Sequence, residues 1–236
     1  MSNVRVRMTR GIGLKDLTQQ QFVERIRDAV RASGMPAAHG AKGDRRPRIA
    51  AGPTLPNGFT SRAEYFDIAL APERPPVSDA ELFQSLARAL PGDCELLWLR
   101  RLPPRTPHLR ASVRAAWYGV RGDFAPECVE RFRRCLHEGA PWLLRTERKG
   151  QERAYDLKDC IGSLFLREER RADGSAESQV LYFSILARQD GTPKPREVVG
   201  AIFPEAARPV EQVPMERAAL ELATPPWPRK RLMESE

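Results

Sequence analysis

The order in which two hydrophobic periodicities alternate constrains this chain more than any other feature. "VRVRMTR" (4–10) alternates strictly, with Val4, Val6 and Met8 on one side and Arg5, Arg7 and Thr9 on the other, which predicts a half-buried strand. "LTQQQFVERIRDAVRASG" (17–34) then places Phe22, Ile26, Ala29, Val30 and Ser33 at helical spacing. Thr18 is in position to cap its start, and Gly34 and Pro36 end it. A short apolar piece, "RIAAGP", is followed by an alternating strand at 63–72, a helix at 78–90 capped by Ser78, and a buried strand at 94–102. The order β-α-β-β-α-β predicts a ferredoxin-like lobe over residues 1–103. The proline-rich "PPRTPH" (103–108) reads as a linker.

A second lobe is expected over 108–222, so the fold class predicted is α+β with two ferredoxin-like lobes in tandem. Its elements are a strand at 109–120, a helix at 125–139, and a hairpin at 141–157 turning at Lys149-Gly150. A second hairpin follows at 162–189 with its tip near Asp173-Gly174, then a short helix at 194–203 and a closing segment at 208–222. Residues 223–236 are Pro-rich and charged and read as a tail. In "AYDLKDC" (154–160), alternation puts Asp156 and Lys158 on one strand face, as a surface salt bridge in preference to an acid–base pair.

Between the first helix and the second strand lies "KGDRRPRIAAGPTLPNG" (42–58), with four cations, three prolines and three glycines in seventeen positions. Pro47, Pro53 and Pro56 reduce the conformations lost on ordering. Gly43, Gly52 and Gly58 permit turns and close approach of another backbone. Lys42, Arg45, Arg46 and Arg48 then form a cationic cluster on a stiffened loop, with Arg5 and Arg7 expected to face the same way. Arginine forks grip phosphate or carboxylate at two points, so this set is the expected anion- or nucleic-acid-binding site. The formal net charge of +8 points to the same class of partner. Aromatic residues make up only 7% of the chain, so contact with a phosphate backbone is expected over base stacking.

His39, in the same region, is the one candidate for a catalytic general base. His108 falls in the linker and His137 near a helix end. The four cysteines, Cys94, Cys128, Cys135 and Cys160, form no C-x-x-C pair, so no metal site and no cofactor is expected. Cys128 and Cys135 are expected as small apolar residues of a helix. No run of 18 apolar residues and no apolar leader core occurs, so a cytoplasmic protein without a membrane partner is expected.

The segments "VRVRMTRGIGLKDL", "ERIRDAVRASGMP", "RPRIAAGPTLPNGFTSRAEYFDI", "RTERKGQERAYDLKDCIGSLFL", "GTPKPREVVGAIF" and "MERAALEL" occur in this order. In them the chain resembles the radical-SAM-linked domain of unknown function, over most of residues 4–222. The resemblance implies a radical SAM protein as partner, and RNA or a ribosome-related molecule as substrate. Two family motifs have diverged. Thr18-Gln19-Gln20-Gln21 stands where the family has Ser-His-Leu-Asp, and Asp44-Arg45-Arg46-Pro47-Arg48 where it has Asn-Pro-His-Pro-Arg. Both family histidines are absent, which weighs against catalysis. The reading carried forward is a non-catalytic accessory or substrate-presenting protein that binds RNA or another polyanion. The alternatives are an RNA-processing or RNA-modifying enzyme and a purely protein-binding subunit.

Overall fold

A computed structural model of the protein describes residues 2–40, 45–72, 77–122, 124–137, 141–148, 150–170, 176–189, 191–203 and 213–223. The fold is mixed α+β with sheet cores. Contacts divide the chain into two compact units. The first comprises Met1–Asn57, Ala63–Val113 and Leu222–Glu236, and the second Gly58–Arg62 and Arg114–Glu221.

In the first unit the strands are β1 (Ser2–Arg10), β2 (Ile49–Ala51), β3 (Thr60–Leu70, counted here from Ala63) and β4 (Leu96–Arg101). They lie in the order β4-β1-β3-β2, with β1 antiparallel to β4 and β2 antiparallel to β3. Helices α1 (Gln19–Ala32) and α2 (Asp79–Ala89) start where their caps require. Thr18 Oγ1 accepts from the Gln21 N–H at 3.2 Å while the Thr18 N–H donates to Gln21 Oε1 at 2.8 Å. Ser78 and Glu81 repeat the reciprocal pair at 3.2 and 2.9 Å. The apolar stripes of both helices, Phe22, Ile26 and Val30 from α1 and Leu82 and Leu86 from α2, close over Val4, Val6, Met8, Phe66 and Ile68 of the sheet.

The other side of β1 departs from expectation. Arg5 is fully buried. Its guanidinium makes a two-point ion pair with Asp67 of β3, Nε to Oδ1 at 2.6 Å and Nη2 to Oδ2 at 2.9 Å, and Nη2 also reaches the Pro107 carbonyl at 3.5 Å. Period-2 alternation puts Arg5 on the face away from the helices but does not say what covers that face. Here the stretch carrying Pro107 covers it. That stretch is bonded to the first unit through Arg5 and through Arg110, whose Nε donates to Ala51 O at 3.4 Å, and the Ser112 hydroxyl also donates to Pro107 O, at 3.3 Å. The chain therefore passes from one unit to the other at Val113–Arg114 rather than at the 103–108 proline cluster. Residues 109–112, expected as the start of a strand, form the one-turn helix α3 (Leu109–Ser112) before β5 (Val113–Gly122).

The second unit continues with α4 (Pro126–His137), the hairpin β6 (Leu143–Arg148) and β7 (Gln151–Asp156), the one-turn helix α5 (Leu157–Cys160), the paired strands β8 (Ile161–Arg170) and β9 (Ala176–Leu186), α6 (Pro195–Ile202) and β10 (Met215–Leu222). Its sheet runs β10-β5-β9-β8, and Thr60–Ser61 pair in parallel with Glu216–Arg217 of β10. The β6–β7 hairpin forms a separate two-stranded sheet, running from Leu143 opposite Asp156 to Arg148 opposite Gln151. Its turn uses Gly150 at φ +74°, a conformation that favours glycine. The tip expected at Asp173-Gly174 and the tail from 224 onward lie outside the described residues.

Asp156 and Lys158 do not share a strand face. β7 ends at Asp156, whose Oδ1 accepts from the Lys158 N–H at 3.1 Å and the Trp142 N–H at 3.2 Å, so the carboxylate caps α5. Cys160 is buried, and Cys128 and Cys135 are half-buried on α4. Among the described residues no helix is long and apolar enough to cross a membrane.

The Arg5–Asp67 pair generates a stability prediction. Removing one member leaves a buried charge without its partner. Asp67→Ala is expected to lower unfolding free energy in urea by about 3–5 kcal/mol, and the double replacement Arg5→Met with Asp67→Leu to recover most of that loss. A single replacement costing well under about 1 kcal/mol would show the pair to be no more than a surface bridge.

Candidate anion-binding site

The loop of residues 45–58 is tied down by its backbone. The Arg48 N–H donates to Ala38 O at 2.8 Å, the Ala69 N–H to Arg48 O at 3.0 Å, the Gly40 N–H to Arg46 O at 3.3 Å and the Gly52 N–H to Tyr65 O at 2.9 Å. Pro47 is buried opposite His39, while Arg45, Arg46 and Arg48 on either side of it are exposed. Two further residues fix the loop's far side. Leu55 is fully buried. A β-carbon at Gly52 would stand 3.4 Å from Tyr65 O and 3.6 Å from Leu109 Cδ2, so α3 and β3 close on the backbone there.

Beside β2 lies an open cavity of about 320 Å³ lined by Ala50, Ala51, His108, Leu109 and Arg110. Leu109 is buried and supplies an apolar floor. His108 and Arg110 are exposed at its edge, and Arg110 Nε donates to Ala51 O at 3.4 Å. Arg48 precedes Ala50 by two residues, the spacing that puts both on one face of the strand. Exposed guanidinium groups beside a concave surface are suited to an oxyanion, because the planar fork of donors matches its geometry.

The residues expected to bind anions therefore separate. Arg45, Arg46 and Arg48 are together on the exposed loop. Arg5 is not with them, being sealed in its pair with Asp67. Arg7 is half-buried, with its guanidinium 6.0 Å from the centre of the Tyr65 ring, and Tyr65 meets Trp98 edge-on at 5.6 Å. Tyr65 is buried and so presents no open ring face for stacking. Lys42 lies outside the described residues. His39 is exposed. By sequence His108 falls in a linker and Arg110 in a strand, and no periodicity connects them to β2. The only sequence signal for them is that a proline-rich stretch ends in two basic side chains.

These features define a class: a mixed α+β protein with sheet cores and an arginine-edged cavity on its first unit. The chain belongs to the family described as "Uncharacterized protein conserved in bacteria (DUF2344)", whose model matches residues 3–195. No curated protein matches it. Among solved structures it is similar to "Crystal Structure of an Unknown Protein from Galdieria sulphuraria", at 16% identity over 94% of this chain and 99% of that chain. The TM-score of that match is 0.25.

Among the described residues no group of three or more His, Cys, Asp or Glu side chains is placed to hold a metal. Cys94 has a different character. Its Sγ donates to Thr9 O at 3.1 Å, and burial, with the Glu64 carboxylate adding to it, pushes the thiol up from 9.0 to about 12. Above pH 9 the unfolded chain releases this proton while the folded chain keeps it, so Cys94 contributes stability that is present below pH 9 and lost as pH rises toward 12. Between about pH 8 and about pH 10 the wild type should lose about 1 kcal/mol more unfolding free energy than Cys94→Ala. Equal losses would contradict the assignment.

Proposed function

We propose that this protein is a non-catalytic accessory protein that grips the phosphate backbone of structured RNA at the cavity of its first unit and presents that RNA to a partner enzyme. One observation carries the reading: Arg45, Arg46 and Arg48 are exposed on a backbone-tethered loop whose strand continues into a cavity edged by His108 and Arg110. The net charge of +8 supports a polyanion over a small neutral ligand. The burial of Tyr65 supports backbone contact over base stacking. That the partner enzyme is a radical SAM protein rests on the sequence resemblance alone.

The same proposal covers the scaffold: two ferredoxin-like lobes in tandem. In the first unit, strands taken in chain order lie 4-1-3-2. In the second, β5, β8, β9 and β10 taken as strands one to four lie in that same order, with α4 and α6 as the crossover helices. The β6–β7 hairpin and α5 are then an insertion between α4 and β8.

Replacing Arg45, Arg46 and Arg48 together with alanine should weaken RNA binding at least about tenfold, or about 1.4 kcal/mol. Stability should barely change, because exposed charges contribute little to folding. For four to six phosphates neutralised, the wild-type log–log salt slope should be roughly −3 to −5, and shallower in the variant. The control is alanine at the exposed helix residues Arg88, Arg131 and Arg134. Equal loss in both triple variants would mean that net charge alone drives binding and that the loop is no site.

A further inference from the structure

A second polar site is built into the other unit, where the β6–β7 hairpin meets the start of α6. Alternation along β6 turns Thr146 and Arg148 inward, and Tyr155 of β7, opposite Leu144, lies on the same face. Tyr155 is only 7% exposed. Among the described residues its hydroxyl, the Thr146 hydroxyl and Arg148 Nε are buried without any hydrogen-bond partner. Buried polar groups are nearly always paired, so three unpaired groups on one small face call for an explanation.

Two of them, Arg148 and Tyr155, meet the turn leading into α6. Arg148 Nη2 donates to Glu197 Oε2 at 2.6 Å and to Thr192 O at 3.3 Å, and its guanidinium lies 5.5 Å from the centre of the Tyr155 ring. A β-carbon at Gly191 would stand 3.3 Å from Arg153 Nη1 and 3.7 Å from Tyr155 Oη. Gly191 has φ +99°, a conformation that excludes most side chains, and this lets Arg153 and Tyr155 approach its backbone closely. Among the described residues, Arg148 and Arg153 stand here beside the carboxylate Glu197, which already accepts from the Lys194 N–H at 2.6 Å.

We infer that this polar cluster binds a phosphate group. The unengaged donors are two hydroxyls and one guanidinium N–H, arriving from both strands of the hairpin. A phosphate offers acceptor oxygens in several directions, which suits donors arranged in this way. The site is independent of the first-unit cavity and of the RNA-binding reading.

The test is calorimetric titration of the full chain with inorganic phosphate and, separately, with adenosine 5′-monophosphate, together with the shift of the thermal unfolding midpoint. Wild type should bind, and Tyr155→Phe and Thr146→Val should each weaken binding at least about tenfold while remaining folded. Phosphate bound as tightly as the nucleotide would identify a free-anion site, and a tighter nucleotide would identify a phosphate ester; both support the inference. The alanine triple variant at Arg45, Arg46 and Arg48 should bind phosphate as wild type does. No binding by the wild type would overturn the inference, as would unchanged binding in both hydroxyl variants. So would Tyr155→Phe raising the midpoint while phosphate has no effect, which would mean that the cluster holds only water.

Discussion

The Arg5–Asp67 ion pair determines the arrangement of the first unit. It lies between neighbouring strands β1 and β3, on the face away from α1 and α2. A guanidinium with no solvent exposure needs partners for its donors: Asp67 engages Nε and Nη2, and the Pro107 carbonyl shares Nη2, while Nη1 is buried without a partner. That contact draws residues 103–112 back across the sheet. Ser112 fastens to the same carbonyl, and the turn of α3 between them delivers Leu109 beside Gly52 and Arg110 beside Ala51. The cavity next to β2 thus follows from a charge pair in the sheet interior. Such pairs often contribute little net stability compared with apolar residues of equal volume, but they fix position closely.

The arginines of this chain divide by what surrounds them. Arg5 is enclosed and holds the sheet face together, while Arg7 lies over Tyr65. Arg45, Arg46 and Arg48 flank a buried proline and face outward. Charge composition alone treats all of these alike, although only the exposed ones stand where a polyanion can reach them. Pro47 links the two roles: its burial and its fixed φ angle hold the adjacent guanidinium groups in place.

Local chemistry was legible in the sequence, and long-range covering was not. Thr18 and Ser78 announced their helices through side chains that bond three residues ahead, and Gly150 announced the β6–β7 turn through its conformational freedom. The inward positions of β1 and α1 followed from period alone. The fate of Arg5 did not, because alternation assigns a residue to a face without saying what lies on it. Residues 109–112 read as strand because four residues are too few to distinguish periods 2 and 3.6. Asp156 read as a strand-face partner of Lys158 because a carboxylate that caps a one-turn helix leaves no pattern beyond its own position. The cavity escaped notice for a related reason: its two sides are more than fifty residues apart in the chain, joined through Pro107.

Amide hydrogen exchange on the full-length protein, with and without structured RNA, tests the central claim most directly. The account predicts that RNA slows exchange at residues 45–52 and 108–110 together, because one bound backbone would cover the loop and the cavity edge at once. Protection elsewhere in the chain with these two stretches unchanged would contradict it.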